Sequence, residues 1–151
     1  MKFKSIGIIF KPKKKFSWSF THCMVPTVLK INNNKIRIFF GSRNKSNVSS
    51  IGYVDLYYEN NKFKVIKYSN KPVLKPGLLG SFDDNGVLPS CVIKKNKIFY
   101  LFYIGWRPGV TTRYSLIAGL AKSKNLDSFK RVTKSPILKL NDSEPYQILT
   151  A

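Results

Sequence analysis

Apolar and polar residues alternate in short runs along most of the chain, and clusters of Asn, Ser, Lys and Gly separate the runs. A period of two over four to eight residues marks a β-strand with one buried face. The pattern predicts strands at 3–10, 25–30, 36–40, 50–57 and 63–68, with turns at Asn32-Asn33-Asn34 and Glu59-Asn60-Asn61. Asn suits such turns because it tolerates left-handed backbone angles. Ile36 to Phe40 is apolar almost throughout, which predicts burial on both faces. No amphipathic helical period occurs, so the chain is expected to be all-β.

The same pattern returns about 63 residues later. Pro26-Thr27-Val28-Leu29, Ile36-Arg37-Ile38-Phe39-Phe40, Ile51-Gly52-Tyr53-Val54 and Pro72-Val73-Leu74-Lys75 form the first copy. Pro89-Ser90-Cys91-Val92, Ile98-Phe99-Tyr100-Leu101-Phe102-Tyr103, Ala118-Gly119-Leu120-Ala121 and Pro136-Ile137-Leu138-Lys139 form the second. A fixed period marks a repeat architecture, and four short strands per repeat make one blade of a β-propeller. The proline at the head of each inner strand fits because it cannot donate to a ladder and belongs where a strand begins.

The expected organisation is one partial propeller domain over 1–151. Residues 1–23 give an N-terminal strand and crossing, 24–74 the first blade, 75–138 the second, and 139–151 the start of a third. Propellers close with four to eight blades. The expectation is therefore an incomplete propeller, truncated or completed by association.

Length and composition suit one folded domain, with 43% hydrophobic and 14% aromatic residues among 151. No run approaches 18 apolar residues, so no membrane-spanning helix is expected. Met1 to Phe10 resembles a signal peptide only until Lys11-Pro12-Lys13-Lys14-Lys15, and no small-residue cleavage site follows. The expected location is the cytoplasm. Cys23 and Cys91 form no CxxC pair and cannot build a zinc site with the lone His22, so buried free thiols are expected and no metal or cofactor is implied. Basic residues number 27 against 7 acids, a net charge of +20. That excess points toward an anionic partner, although the lysines are spread along the chain and no nucleic-acid recognition motif is present.

Several segments, taken in order, resemble the five-bladed propeller glycosidases of the glycoside hydrolase family 43-type group and their uncharacterised relatives. They are Gly7-Ile8-Ile9-Phe10-Lys11-Pro12 with Trp18 and Thr21-His22-Cys23-Met24-Val25-Pro26, then Phe39-Phe40-Gly41-Ser42-Arg43 and Ser49-Ser50-Ile51-Gly52. Pro76-Gly77-Leu78-Leu79-Gly80-Ser81-Phe82-Asp83-Asp84-Asn85-Gly86-Val87-Leu88-Pro89, Tyr103-Ile104-Gly105-Trp106 and Gly119-Leu120-Ala121-Lys122-Ser123 complete the set. The resemblance spans nearly the whole chain but about two fifths of a five-bladed domain.

It implies a saccharide ligand, neutral or anionic, and, where active, hydrolysis by two carboxyl groups. Asp83, Asp84 and Glu144 are the acids at the heads of inner strands, so they are the catalytic candidates; Asp-Asp-Asn-Gly is equally good turn chemistry. His22, Arg43, Trp106 and Arg107 are the substrate-binding candidates: His22 for a sugar hydroxyl, the arginines for an anionic group, Trp106 for stacking on a pyranose face. Trp18 and Tyr103 are further aromatic candidates. Val25 stands where well-characterised members of that group carry an acid before the proline. A non-catalytic carbohydrate-binding or assembly propeller is therefore the alternative, and a basic module binding nucleic acid or another anionic polymer is less favoured.

Overall fold

In a computed structural model of the chain, residues 2, 5–12, 14–60 and 62–146 are described. Eight strands follow in order: β1 (Thr21–Lys30), β2 (Lys35–Arg43), β3 (Ser49–Glu59), β4 (Lys62–Tyr68), β5 (Gly86–Lys95), β6 (Ile98–Pro108), β7 (Tyr114–Ser123) and β8 (Lys130–Arg131). Strands β1 to β4 pair antiparallel in succession, as β1–β2, β2–β3 and β3–β4, and β5 to β8 do the same. One parallel bridge, Ser49 to Gly86, joins the two meanders at a single point. The result is two successive four-stranded blades in a propeller-like, all-β fold. No helix is long and apolar enough to cross a membrane among the described residues.

The hairpins carry the turn chemistry the sequence calls for. Asn32 Oδ1 accepts from the backbone N–H of Asn34 and of Lys35, at 3.1 and 2.8 Å. Asn96 and Lys97 both have positive φ, 49° and 63°, the two-residue turn whose twist matches that of a hairpin. Both repeat prolines lie inside their strands rather than at the expected strand heads, at irregularities of the ladders. The β1–β2 register shifts between Met24 and Thr27, and the β5–β6 register between Pro89 and Cys91. A bulge there costs little because proline has no N–H to leave unpaired. The inner strands β1 and β5 meet directly, with Thr27 Oγ1 donating to the Ser90 carbonyl 63 residues away at 3.2 Å.

Alternation along β2 and β3 sends side chains to two cores. Phe39, Ile51 and Tyr53 join Val87, Leu101, Tyr103, Ala121 and Phe129 in a cluster shared by both blades. Phe40, Val54 and Leu56 point the other way, under Phe10, Trp18, Phe63 and Tyr68. The fully buried Phe39 and Leu101 thus lie on the inter-blade side, where each buried side chain contributes on the order of 1.5–3 kcal/mol.

Two buried ionic hubs tie this core together. Arg37 holds Asp55 through Nε and Nη2, at 2.7 and 3.0 Å, while its Nη1 reaches the Leu126 carbonyl and Asp127 of the second blade. Its guanidinium lies 3.5 Å from the Tyr53 ring centroid. The second hub is built on Asp83 and belongs to the site below.

Two expectations need correction. Residues 5–10 form no strand, and residues 3 and 4 lie outside the described residues. Alternation alone is insufficient without an edge to pair with: Ile6 and Ile8 are exposed, and only Phe10 packs inward, against Phe40 and Tyr68. Both cysteines are free, as expected, but exposed rather than buried. Of the segment 139–151, the described part has a bridge between Asn141 and Glu144 as its only ladder contact, and 147–151 lie outside the described residues.

Candidate functional site

The register of the strands places Thr21 opposite Arg43, Arg43 opposite Ser49, Ser49 beside Gly86, and Gly86 opposite Trp106. These five positions form one lateral row at one end of both blades. His22 follows Thr21 on β1, Arg107 follows Trp106 on β6, and Asp83 and Asp84 precede β5. All four substrate-binding candidates therefore gather at the same end, together with two of the three candidate acids.

Within the row, side chains lock one another. The Trp106 indole N–H donates to Ser49 Oγ at 2.8 Å, and that hydroxyl donates to the Val87 carbonyl at 3.1 Å. A Cβ on Gly86 would collide with both the indole nitrogen and the Ser49 hydroxyl, so glycine is what allows the ring this close. The Arg43 guanidinium carbon stands 5.4 Å from the Trp106 ring centroid, within cation–π range. Arg43 Nε is buried and has no hydrogen-bond partner among the described residues. Phe20, whose N–H donates to the Arg43 carbonyl at 2.8 Å, lies under Lys45 and Lys14, at 5.3 and 5.7 Å from its ring centroid. The end is therefore basic and carries an immobilised aromatic ring.

His22 is exposed, with φ of 63°, and its Nδ1 shares a hydrogen bond of 2.8 Å with Thr21 Oγ1. Arg107 is exposed. Val25 has φ of 49° and is 42% exposed, inside the irregular part of β1. A β-branched residue in that backbone region is strained.

Asp83 is 1% exposed, and both its oxygens are engaged. Oδ2 accepts from Arg131 Nε at 2.8 Å, Arg131 Nη2 at 2.6 Å and the Tyr103 hydroxyl at 3.0 Å, while Oδ1 accepts from Ser81 at 2.9 Å. Burial, then the negative charge of Asp83, pushes the Tyr103 phenol well above its usual range, so it stays a donor. Arg131 Nη2 also donates to the Lys75 carbonyl, which fastens the inter-blade connection onto β8. This geometry gives Asp83 a structural task, and sequence reasoning missed it because Arg131 lies 48 residues away. Asp84 is half-buried, and its Oδ2 caps the Gly80 N–H at 2.8 Å. Glu144 is exposed and, among the described residues, joins the site through no hydrogen bond or ion pair.

Trp18 packs against Phe40 and donates to the Asn70 carbonyl at 3.0 Å. With Lys15, Asn44, Asn70, Lys71 and Lys75 it lines a hollow of about 740 Å³ on the flank of the first blade. Tyr103 is fully buried. Among the described residues no three His, Cys, Asp or Glu side chains converge as a metal site would require.

No protein-family profile matches the chain. It is 31% identical over 150 residues to two uncharacterized proteins of Mycobacterium tuberculosis, Rv1502 of strain ATCC 25618 / H37Rv and MT1551 of strain CDC 1551 / Oshkosh. The match covers 98% of this chain and 49% of each relative, so the chain spans about half their length.

Among solved structures, the chain is similar to a glycosyl hydrolase from Bacteroides ovatus, with a TM-score of 0.62 over 85% of this chain and 39% of that one. It is also similar to a Parabacteroides distasonis protein provisionally assigned as a glycoside hydrolase, with a TM-score of 0.65 over 95% and 44%. A third likeness is Zg3597, a family 117 glycoside hydrolase of Zobellia galactanivorans, with a TM-score of 0.59 over 85% and 36%. Identity is 16% in all three, so the likeness is one of fold: the chain has the fold of part of these hydrolases.

Proposed function

We propose that this chain is the saccharide-binding part of a glycoside-hydrolase-like propeller, akin to the five-bladed family 43-type group. The sugar would sit at the end of the blades formed by His22, Arg43, Trp106 and Arg107. One observation carries this reading: the Arg43 guanidinium stands 5.4 Å from the Trp106 ring centroid where β2 and β6 end, beside the heads of the inner strands β1 and β5. A fixed indole offers a flat apolar face to pyranose C–H groups, and flanking polar groups orient the hydroxyls.

Binding is favoured over hydrolysis because the oxygens of Asp83 are already taken by Arg131, Tyr103 and Ser81. An acid–base pair needs one carboxyl to give up a proton and another to activate water, about 6.5–9.5 Å apart for inversion. Hydrolysis remains a second reading, resting on Asp84, which lies two residues ahead of β5 at the same end, with Glu144 as its partner.

The test is calorimetric titration with a panel of oligosaccharides, run beside an assay with aryl glycosides. Trp106→Ala should weaken binding at least about tenfold, as loss of a central aromatic anchor does. Turnover abolished by Asp84→Asn or Glu144→Gln would move the assignment to hydrolysis. Affinity for single-stranded DNA or RNA that exceeds any sugar's and falls steeply with salt would replace both.

A further inference from the structure

We infer that Arg43 and Trp106 form a seat for the acidic substituent of a sugar, so that the ligand of the proposed site is an anionic saccharide: a uronic acid or a sulfate- or phosphate-substituted sugar. This rests on the saccharide reading above and goes further by naming the ligand's charge.

A comparison of the chain's arginines carries it. Three arginines lie in strands with their side chains withdrawn from solvent to some degree. Arg37 is 7% exposed and paired with Asp55 and Asp127; the Arg131 side chain is 24% exposed and paired with Asp83. Those two take up three of the seven acids of the chain. Arg43 is half-buried, its Nε is sealed from solvent, and none of the ion pairs among the described residues includes it. Burying a guanidinium N–H without an acceptor is unfavourable, since that donor loses water and gains nothing, and the half-buried remainder of the Arg43 guanidinium has no carboxylate beside it to offset this. The other two sites show what the fold does when the anion is internal.

The surroundings of Arg43 suit an anion supplied from outside. The Trp106 ring lies beside the guanidinium and is immobilised by Ser49. An anion on Arg43 would therefore set the attached sugar ring against the indole. Lys14 and Lys45 flank Phe20, whose N–H is bonded to the Arg43 carbonyl, and Arg107 is next to Trp106 in sequence. Asp84 is the one acid immediately before β5 besides the occupied Asp83, and its Oδ2 is directed to the Gly80 N–H. A planar guanidinium favours oxyanions that accept two parallel hydrogen bonds, which carboxylate, sulfate and phosphate all provide. Arg43 and Trp106 also stand 63 residues apart, the repeat spacing, so the seat is made of matching ends of two blades.

The experiment uses the Trp18→Phe background, in which Trp106 is the single indole of a chain that has two. Its fluorescence is titrated with a glucuronic-acid trisaccharide, a sulfated trisaccharide, the neutral glucose trisaccharide, sodium sulfate alone and a single-stranded oligonucleotide. The acidic sugars should bind at least about tenfold tighter than the neutral one, in line with a charge-assisted pair. Which acidic arm is tighter identifies the substituent. Arg43→Gln should erase that difference, and Arg43→Lys should restore part of it. The melting temperature of Arg43→Gln should match or exceed that of its background, because an unpaired cation is removed.

Equal affinity for neutral and acidic sugars, or an acid preference unchanged in Arg43→Gln, overturns the anionic seat but leaves the saccharide site standing. Binding of no sugar at all overturns both. Oligonucleotide binding tighter than any sugar, or sulfate alone binding as tightly as the sulfated sugar, also overturns the seat as a sugar site.

Discussion

Replacing Asp83 by Asn separates a structural carboxylate from a catalytic one. Asparagine keeps the shape but removes the charge and brings an NH2 group into a pocket that already contains four donors. Breaking a buried pair by removing one partner costs about 3–5 kcal/mol. Arg131 is 24% exposed and can partly rewet, which places the loss near the lower figure, about 3 kcal/mol. For a chain of this size each kcal/mol moves the melting temperature by about 2–4 °C, so a fall of about 6–12 °C is expected in circular dichroism melts. Tyr103→Phe removes one hydrogen bond and should cost about 1 kcal/mol. In a double-mutant cycle, Asp83→Asn with Arg131→Met should cost less than the two single changes added, by at least about 1 kcal/mol. A melting temperature within about 1 °C of the parent for Asp83→Asn, together with lost turnover of an aryl glycoside, would refute the structural assignment.

Three further outcomes follow from the same geometry. Burial alone would raise the Asp127 carboxyl, but hydrogen bonds from Arg37 and Tyr53 and the charges of Arg37 and Lys67 outweigh it and hold it below its usual value. The stability that Asp127 adds is therefore full above about pH 4 and is lost as pH falls through its lower folded value. Unfolding free energies of the parent and Asp127→Asn from urea titration should differ by no more than about 1 kcal/mol at neutral pH, because the side chain is 50% exposed, and should converge in acid; a gap that widens there contradicts this. Val25→Gly should stabilise the chain by about 0.5–1 kcal/mol, since relief of a left-handed backbone exceeds the entropy glycine adds; a net loss in urea unfolding would show that Val25 is not strained. Cys23, though exposed, lines a hollow together with Phe10, Ile38, Phe40 and Val54, and partial desolvation there pushes its thiol up to about 11. In Cys91→Ser, alkylation by iodoacetamide should therefore still be accelerating well above about pH 8.5; a half-maximal rate near about pH 8.5 would mean a thiol without that desolvation.

The blades were legible because their cause is local. Alternation set β2, β3 and β6 and the Asn turns set the hairpins, whereas the repeated prolines, read as strand heads, lie at bulges inside β1 and β5. His22, Arg43, Trp106 and Arg107 were legible as candidates one by one, but that they share one end came only from the register of the strands. What stayed hidden was the partner of each charge. Asp83 looks the same beside Asp84 whether it faces a ligand or Arg131, because the pairing spans 48 residues and leaves no local pattern. The same holds for Arg37 and Asp127, 90 residues apart. Ile6 and Ile8 show the converse: a strand-like alternation with no strand, because no ladder meets it.

The most direct test of saccharide binding at the shared rim is residue-resolved. An ¹⁵N-labelled sample is titrated with the tightest-binding oligosaccharide, and the amide and indole resonances are followed. Shifts concentrated at His22, Arg43, Ser49, Gly86 and the Trp106 indole N–H are predicted. Shifts confined to the flank around Trp18 and Lys71, or none at saturating sugar, would contradict it.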